Sequence, residues 1–465
     1  MSPKFGTSGL RGLVVELTDD LVADHIRAFI RACPNGGGVH VGCDLRPSSP
    51  AIAQVVMDTI RAEGLLAVDC GAVPTPALAL GSLARGQAAV MVTGSHIPAD
   101  RNGLKFYVPA GEISKEDEAA IRAALGAPAA RRAEMPEVEA ADDTLSTYVG
   151  RYLTAYGPEA LRGLRIGVYE HSSVARDVLA DAIGALGGEA VPLGRSDSFV
   201  PVDTEAVDPD MARAILDWCR DDALDALVST DGDGDRPLVA DHRGQIVPGD
   251  VLGPLTARAL GATDIVTPVS SNSLVAQMPD FARVERTRIG SPYVIAGMET
   301  ILDGDETARV AGYEANGGFL LGFEAQGPAG PLPPLMTRDC LLPIIAPLAH
   351  ARAQGVPLAD LVAALPAVFT AADRVTEVPS ERSLGFIDTL IGDPAARAGF
   401  FGGLGPEQGI DTTDGLRLSF AGGQVVHLRP SGNAPECRVY AEAGSAADAR
   451  SLVVAYLDRL RAALG

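Results

Sequence analysis

Aromatic residues and cysteines are scarce in this chain of 465 residues. Aromatic residues make up 5% of the sequence and include a single tryptophan, and the six cysteines lie scattered with no CxxC pair. This spacing excludes the usual cysteine zinc sites and a disulfide framework, and it is typical of free thiols in a reducing compartment. We therefore expect a cytoplasmic protein.

Positive charge and long apolar runs are also lacking. The chain has 60 acidic and 38 basic residues, a formal net charge of −22, which repels nucleic acid and anionic membranes. The N-terminus has no apolar signal core, and prolines interrupt the apolar run at 341–350. A GxxxxGK[ST] stretch, which would hold a nucleotide, is absent too. We expect no nucleic-acid partner, no membrane contact, no kinase chemistry, and a monomer or homodimer.

The length and the pattern of elements predict several domains. A single hydrophobic core rarely serves so long a chain. A succession of strand, small-residue loop, helix and strand occurs three times, at intervals of roughly 100 residues. Each copy is typical of a βαβ crossover whose helix begins at a serine. The C-terminal part alternates like antiparallel strands, and Ser445 and Asp448 form a capping pair that opens a last helix.

We therefore predict an α/β protein of four domains around a central cleft. Three related α/β domains would have mixed, mostly parallel sheets, and an α+β domain would follow them. The predicted domains carry, in order, a serine loop, a metal-binding loop, a sugar-binding loop and a phosphate-binding loop. They span residues 1–147, 148–249, 250–366 and 367–465.

Three carboxylates follow an apolar strand in the stretch VSTDGDGDRPL. Asp231, Asp233 and Asp235 alternate with glycines, and a divalent cation is the usual reason why such crowding is tolerated. The loop is not an EF-hand, because Arg236 and His242 stand where that motif has glycine and glutamate. Three oxygen ligands leave coordination places for another anion, which favours Mg²⁺ acting on a phosphate over a merely polar surface turn.

A serine and a histidine stand side by side in the turn TGSHIP. Neighbours in sequence do not form the relay of a hydrolase, whose histidine comes from elsewhere in the chain. Ser95 is instead a candidate phosphoryl carrier, since a phosphoserine would need the cation of the aspartate loop. His96 is either a hydrogen-bonded loop histidine or a proton-transfer group.

Two further loops carry polar groups. RPSGNAPECR offers donors that suit a phosphate without a metal, and GYEANGG offers Glu314 and Asn316, a pair of the kind that reads sugar hydroxyls. Each loop falls in a different predicted domain, so the site should lie in a cleft between them. The donors of the first of these loops are Arg429, Ser431, Asn433 and Arg438, which surround a turn at Gly432.

The motifs FGTSGLRG, TGSHIP, DGDGDR, GYEANGG and RPSGNAPE, in this order, resemble those of the α-D-phosphohexomutase family over nearly the whole chain. The resemblance implies that Ser95 carries phosphate and that the three aspartates bind Mg²⁺ together with it. It also places Arg11 and Lys105 near the transferring phosphate, as candidates for charge stabilisation and proton transfer. Residues implied to face the substrate are Arg236, Arg288, Gly290, Glu314, Asn316, Arg429, Ser431, Gly432, Asn433 and Arg438.

The chain also departs from the family pattern. Gly318 and Ser291 stand where some relatives have histidine, and Asn433 stands where threonine is usual. The identity of the proton-transfer group therefore stays open.

The family resemblance implies a Mg²⁺-dependent mutase that interconverts hexose 1-phosphate and hexose 6-phosphate. A hexose 1,6-bisphosphate would be the intermediate and the activator. The forms EANGG and GNAPE resemble members acting on mannose phosphate, and glucose phosphate or both sugars are the alternatives. More distant alternatives are a sugar phosphatase with an aspartate nucleophile and a non-catalytic sugar-phosphate binding protein.

Overall fold

The computed structural model of the chain describes residues 3–6, 9–129, 135–430 and 435–464. Within these ranges, four sheets of five or more strands follow one another along the chain. Three of them alternate with helices and the fourth is antiparallel, which confirms the predicted α/β class with four domains. The boundaries near residues 147, 249 and 366 stay predictions.

The first sheet is parallel in one half and antiparallel in the other. Its strands are β1 (Lys4–Phe5), β2 (Leu10–Leu13), β3 (Gly38–Cys43), β4 (Leu66–Ala72), β5 (Ala88–Val92), β6 (Arg101–Val108), β7 (Gly111–Glu112) and β8 (Val138–Ala140). The helices are α1 (Asp19–Ala32), α2 (Ser49–Ala62), α3 (Thr75–Ala84), α4 (Lys115–Ala123) and α5 (Thr144–Tyr156). Strands β5, β3, β4 and β8 pair in parallel, and β1, β2, β6 and β7 add antiparallel pairs.

The second sheet has the order β10-β9-β11-β12-β13. Its elements are β9 (Arg165–His171), α6 (Arg176–Ala185), β10 (Glu189–Arg195), α7 (Pro209–Asp221), β11 (Ala226–Thr230), β12 (Pro237–Asp241) and β13 (Ile246–Val247). Every residue of β11 is buried, as expected for a central strand covered on both faces. Strand β11 runs parallel to β9, and β12 returns antiparallel. The turn between β11 and β12 is the aspartate loop.

The third sheet repeats this plan with the order β15-β14-β16-β17-β20. The elements of this part of the chain are α8 (Gly249–Leu260), β14 (Asp264–Pro268), β15 (Arg283–Thr287), α9 (Ser291–Gly304), β16 (Val310–Tyr313), β17 (Phe319–Leu321), β18 (Ala325–Gln326), β19 (Pro331–Leu332), β20 (Leu335–Asp339), α10 (Leu341–Gln354) and α11 (Leu358–Ala363). Strands β18 and β19 pair with each other, as a separate two-stranded sheet. In the second and third sheets, antiparallel pairs are as numerous as parallel ones.

The third βαβ crossover is shorter than the repeat predicts. Strands β14 and β15 are joined by a 3-10 helix, Ser273–Gln277, where the pattern predicts an α-helix. Pro279 follows closely, and because proline lacks an N–H and clashes with the preceding turn, it prevents the helix from continuing. The first two crossover helices also begin differently from the prediction. No side-chain hydrogen bond caps α2, whose N-cap is Ser48, and the N-cap of α6 is Ala175, not a serine.

The fourth sheet confirms the predicted antiparallel C-terminal part. Its order is β21-β25-β24-β23-β22. The elements are β21 (Phe369–Thr376), α12 (Ser380–Gly392), α13 (Pro394–Phe400), β22 (Glu407–Asp411), β23 (Leu416–Phe420), β24 (Val425–Pro430), β25 (Glu436–Ala443) and α14 (Ala446–Leu464). Ser445 Oγ accepts from Asp448 N at 3.1 Å, so the predicted capping pair forms. Among the described helices, none is both long and apolar enough to cross a membrane.

Candidate active site

The serine turn follows β5, and its geometry is unusual. Ser95 is fully buried and has φ +54°, a left-handed conformation that residues other than glycine rarely adopt. The hydroxyl of Thr93 accepts from Ser95 N at 2.7 Å. The Ser95 hydroxyl donates to Asp231 Oδ2 at 2.6 Å, across 136 positions of sequence. The structure thus brings the serine turn and the aspartate loop into direct contact.

The three aspartates form a buried cluster. Their carboxylate oxygens lie within 4.8 Å of one another, and all three side chains are inaccessible to solvent. One oxygen of Asp233 and one of Asp235 lack a hydrogen-bond partner, and buried carboxylate oxygens rarely stay unpaired. Hard oxygen donors at this spacing fit a divalent cation such as Mg²⁺ or Ca²⁺.

Three side chains from outside the loop also meet these carboxylates. Lys105 Nζ, on β6, donates to Asp233 Oδ2 at 2.6 Å and to Asp235 Oδ2 at 2.5 Å. Thr75 Oγ1 donates to Asp233 Oδ2 at 2.5 Å, and Arg338 Nη2 lies 2.9 Å from Asp235 Oδ2. Cations from two other domains therefore offset part of the negative charge of the loop.

The electrostatics of the aspartates differ from one residue to the next. Burial, together with the charges of Asp233 and Asp235, raises the pKa of Asp231 well above its usual range. Burial also opposes ionisation of Asp233, but Lys105 and Thr75 outweigh it and hold the pKa of that carboxyl below its usual value. A divalent cation would relieve the repulsion that raises the pKa of Asp231.

His96 is held as a neutral acceptor. Arg236 Nη1 donates to its Nδ1 at 3.0 Å, and the Ser95 hydroxyl lies 3.3 Å from the same nitrogen. Burial, followed by the charges of Arg236 and Arg11, lowers the pKa of His96 to about 2. Burial and the charge of Arg236 also lower the pKa of Arg11, on β2, to about 10. The positive charges of these two arginines therefore oppose protonation of the histidine that follows Ser95.

One residue of the sugar loop, Glu314, is linked to the aspartates through an arginine. Arg338 Nη1 lies 3.4 Å from Glu314 Oε2, so the guanidinium joins Glu314 to Asp235. Asn316 Oδ1 accepts from Gly318 N at 3.0 Å, which closes the turn. A Cβ placed at Gly318 would lie 2.7 Å from Arg338 Cγ. Arg338 therefore fills the space that a side chain at position 318 would need, which explains why glycine stands there.

The other predicted residues lie apart from this cluster. Arg288 Nε donates to Thr413 O at 3.2 Å, and Gly290, at φ +131°, precedes α9. Arg429 Nε donates to Asp414 Oδ2 at 2.9 Å, and Arg438 Nη2 donates to Glu436 Oε1 at 2.9 Å. Both arginines of the phosphate-binding loop thus pair with acids of their own domain. Ser431, Gly432 and Asn433 lie outside the described residues.

Motif reading missed three residues that shape the cluster: Arg46, Thr75 and Arg338. Arg46 and Thr75 follow strands β3 and β4 closely, and Arg338 lies on β20. Polar side chains just beyond the carboxyl ends of parallel strands are a known signal for a site at that edge of a sheet. The signal was available for Arg46 and Thr75. Arg338 lies near the end of an antiparallel strand, so this signal does not apply to it.

Comparisons with known proteins agree with this arrangement. The chain is 45% identical over 456 residues to the phosphomannomutase of Sinorhizobium fredii, covering 95% of both chains. It is 41% identical to the phosphomannomutase of Salmonella muenchen, covering 99% of this chain and 96% of that one. The fold matches a phosphoglucomutase/phosphomannomutase family protein from Burkholderia thailandensis with a TM-score of 0.76 at 21% identity, covering 98% of this chain and 96% of that chain.

Family models match three parts of the chain. The model for α/β/α domain I of phosphoglucomutase/phosphomannomutase matches residues 2–132, that for domain III matches residues 248–369, and that for the C-terminal domain matches residues 356–459. Together they cover well over half of the sequence. The chain belongs to the phosphoglucomutase/phosphomannomutase family of α-D-phosphohexomutases, and it is therefore a phosphomutase, an isomerase.

Proposed function

We propose that this protein interconverts mannose 1-phosphate and mannose 6-phosphate, with Ser95 as the phosphoryl carrier. The observation that carries the proposal is the 2.6 Å hydrogen bond between the Ser95 hydroxyl and Asp231, at the rim of a carboxylate cluster suited to a cation. The names of the two relatives above 40% identity favour mannose as the sugar. Glucose phosphate remains the alternative substrate.

The three aspartates would hold Mg²⁺, which supplies charge neutralisation for a phosphate on Ser95. The unpaired oxygens of Asp233 and Asp235 support this role, and Asp231 Oδ2, which accepts from the Ser95 hydroxyl, links the serine to the same cluster. Lys105, Arg11 and Arg236 would stabilise charge on the transferring phosphoryl group, because cations placed beside developing charge lower the barrier.

The reaction needs two phosphoryl transfers. In the first, the bond between phosphorus and Ser95 Oγ breaks while a free hydroxyl of the hexose phosphate bonds to phosphorus, and the proton of that hydroxyl ends on Ser95 Oγ, which becomes a hydroxyl again. The resulting hexose 1,6-bisphosphate turns over in the cleft and returns its other phosphate to Ser95. Free hexose 1,6-bisphosphate would activate the enzyme by phosphorylating Ser95.

The remaining substrate contacts follow from the same proposal. Glu314 and Asn316 would read the sugar hydroxyls, and Arg288, Gly290, Arg429, Ser431, Gly432, Asn433 and Arg438 would face the rest of the substrate. His96 serves better as an acceptor that orients Arg236 than as an acid, because its low pKa keeps it neutral. A cytoplasmic location and a monomer or homodimer stay predictions.

The test is an assay of the purified protein with mannose 1-phosphate and glucose 1-phosphate, with a catalytic amount of the matching 1,6-bisphosphate. We expect faster turnover of mannose 1-phosphate and a loss of at least about 10³-fold for Ser95→Ala. Full turnover by Ser95→Ala would contradict the role of Ser95. Release of inorganic phosphate in place of the isomer would instead support an aspartate-based phosphatase.

A further inference from the structure

Arg46 encloses the serine turn from inside the first domain. Its Nη2 donates to Ser95 O at 2.9 Å and to Ile97 O at 2.6 Å, and its Nη1 donates to Pro98 O at 2.7 Å and to Arg101 O at 2.8 Å. The side chain is itself buried and anchored, since Nε donates to Asp44 Oδ2 at 3.1 Å. One guanidinium thus holds four carbonyl groups of the turn that carries the left-handed Ser95.

A ring from the second domain covers this guanidinium. Arg46 Cζ lies 4.1 Å from the centre of the Phe199 ring, a cation–π distance. The same ring lies beside the aspartate loop, because a Cβ placed at Gly232 would lie 3.1 Å from Phe199 Cζ and 2.7 Å from Ser95 O. On the side of the serine turn, a Cβ at Gly94 would lie 2.6 Å from Arg46 Cζ. Arg46 and Phe199 therefore lie where the serine turn meets the aspartate loop.

We propose that Arg46 and Phe199 form a positioning pair that sets the distance between Ser95 Oγ and the aspartate loop, and thereby the rate of phosphoryl transfer. The proposal rests on Ser95 being the phosphoryl carrier. Neither residue contacts the Ser95 hydroxyl: Arg46 acts through the carbonyl of Ser95, and Phe199 acts by holding the Arg46 guanidinium against that carbonyl. A lysine cannot replace Arg46, because its single ammonium lacks the planar fork that reaches several carbonyls.

The test compares Arg46→Lys, Phe199→Ala and the double variant with wild type, in steady-state mutase assays. A misplacement of about 1 Å costs about 100-fold in rate, so we expect kcat to fall about 100-fold for Arg46→Lys and about tenfold for Phe199→Ala. The KM should change by less than about twofold, because substrate contacts are untouched. The double variant should lose no more than Arg46→Lys alone, since Phe199 acts through Arg46.

The matched control is Phe323→Ala in the third domain. Phe323 also covers a guanidinium, with Arg309 Cζ 5.2 Å from its ring centre, and it is partly buried like Phe199. We expect its kcat to equal that of wild type. If Arg46→Lys does not fold by circular dichroism, Phe199→Ala decides alone. A kcat of Phe199→Ala equal to that of Phe323→Ala, or an effect confined to KM, would overturn the proposal.

Intact-mass measurement separates this inference from the proposed function. Wild-type protein treated with mannose 1,6-bisphosphate should gain one phosphoryl group, and Ser95→Ala should gain none. If wild type gains no phosphoryl group, Ser95 is not the phosphoryl carrier, and the proposal of a positioning pair is wrong as well. If wild type is phosphorylated on Ser95 while Arg46→Lys and Phe199→Ala turn over normally, only the positioning pair is wrong.

Discussion

The two ends of the proposed cleft are built differently. At the serine end, Ser95 and the three aspartates are fully buried, and their partners Lys105 and Arg338 come from the first and third domains. At the phosphate-loop end, the Arg429 side chain pairs with Asp414, and the Arg438 side chain, which is 36% exposed, pairs with Glu436. Both of these pairs lie within the fourth domain.

This difference indicates that the two ends have different functions. Contacts between domains that are buried and mutually dependent hold reacting atoms in place, which is what phosphoryl transfer requires. An arginine paired with an acid at a partly exposed position can exchange that acid for a phosphate at small cost, because exposed ion pairs contribute little. The serine end is thus suited to the chemistry of the proposed reaction, and the other end to binding and release of its substrate.

The largest expected effect is on metal binding at the serine end. Asp233→Asn removes a carboxylate that meets Lys105 and Thr75, and the affinity for Mg²⁺ should fall about 100-fold or more. Isothermal titration calorimetry with Mg²⁺ measures it. Asp241→Asn, at the end of β12 in the same domain, is the control and should bind Mg²⁺ like wild type. Equal affinities for all three proteins would show that the aspartate loop is not the metal site.

A steric change at the same end should have nearly as large an effect on the rate. In Gly232→Ala, the new Cβ would lie 2.7 Å from Ser95 O, so the two loops must separate and kcat should fall about 100-fold. Gly150→Ala in α5 is the matched control, since a Cβ there meets nothing within 4 Å. Steady-state kinetics checks both, and an unchanged kcat for Gly232→Ala would mean that the contact between the loops does not limit transfer.

Changes at the phosphate-loop end should act on binding. Arg429→Ala and Arg438→Ala each remove a charged hydrogen-bond donor worth about 1.5–3 kcal/mol, so the KM for the hexose phosphate should rise about 10- to 100-fold. The kcat should change much less. Arg374→Ala is the control, because Arg374 pairs with the same Glu436 from a more exposed position. A fall in kcat with unchanged KM would contradict the assignment of binding to the phosphate-loop end and of chemistry to the serine end.

The last prediction concerns stability and not activity, on which we expect the smallest effect. Asp250 lines a cavity of about 190 Å³ between α8 and the fourth sheet. Burial raises its pKa to about 7, so the folded protein keeps a proton that the unfolded chain loses near pH 4. Stability from this group is therefore lost as pH rises from about 4 to about 7, by up to about 4 kcal/mol.

Asp250→Asn should flatten this part of the profile, because asparagine retains an acceptor for Asn272 N. Urea unfolding of both proteins at several pH values between 4 and 8 measures the difference. Parallel profiles would mean that Asp250 is ionised in the folded protein.

Much of the fold and of the serine end could be predicted from local patterns. Alternating aspartates and glycines after an apolar strand indicate a cation site, because the signal lies within a few residues. The third crossover was predicted as a helix and is a 3-10 turn, since a nearby proline overrides an apolar pattern. The pairing of Arg429 with Asp414 was not predictable, because Asp414 lies outside the strand that carries Arg429 and the two side chains meet only when the sheet is packed.

The sequence by itself determined which residues are chemically able to carry phosphate and bind a cation, because side-chain chemistry and turn-forming glycines are local properties. Only the tertiary structure decided that Ser95 meets Asp231, that Arg338 takes the space beside Gly318, and that Arg46 and Phe199 lie where the two loops meet. The first and the last of these contacts join residues more than a hundred positions apart in different domains, and the contact of Arg338 with Gly318 lies within the third domain. All three contacts form only when the chain folds and its domains pack, and no short stretch of sequence specifies which distant side chains then become neighbours.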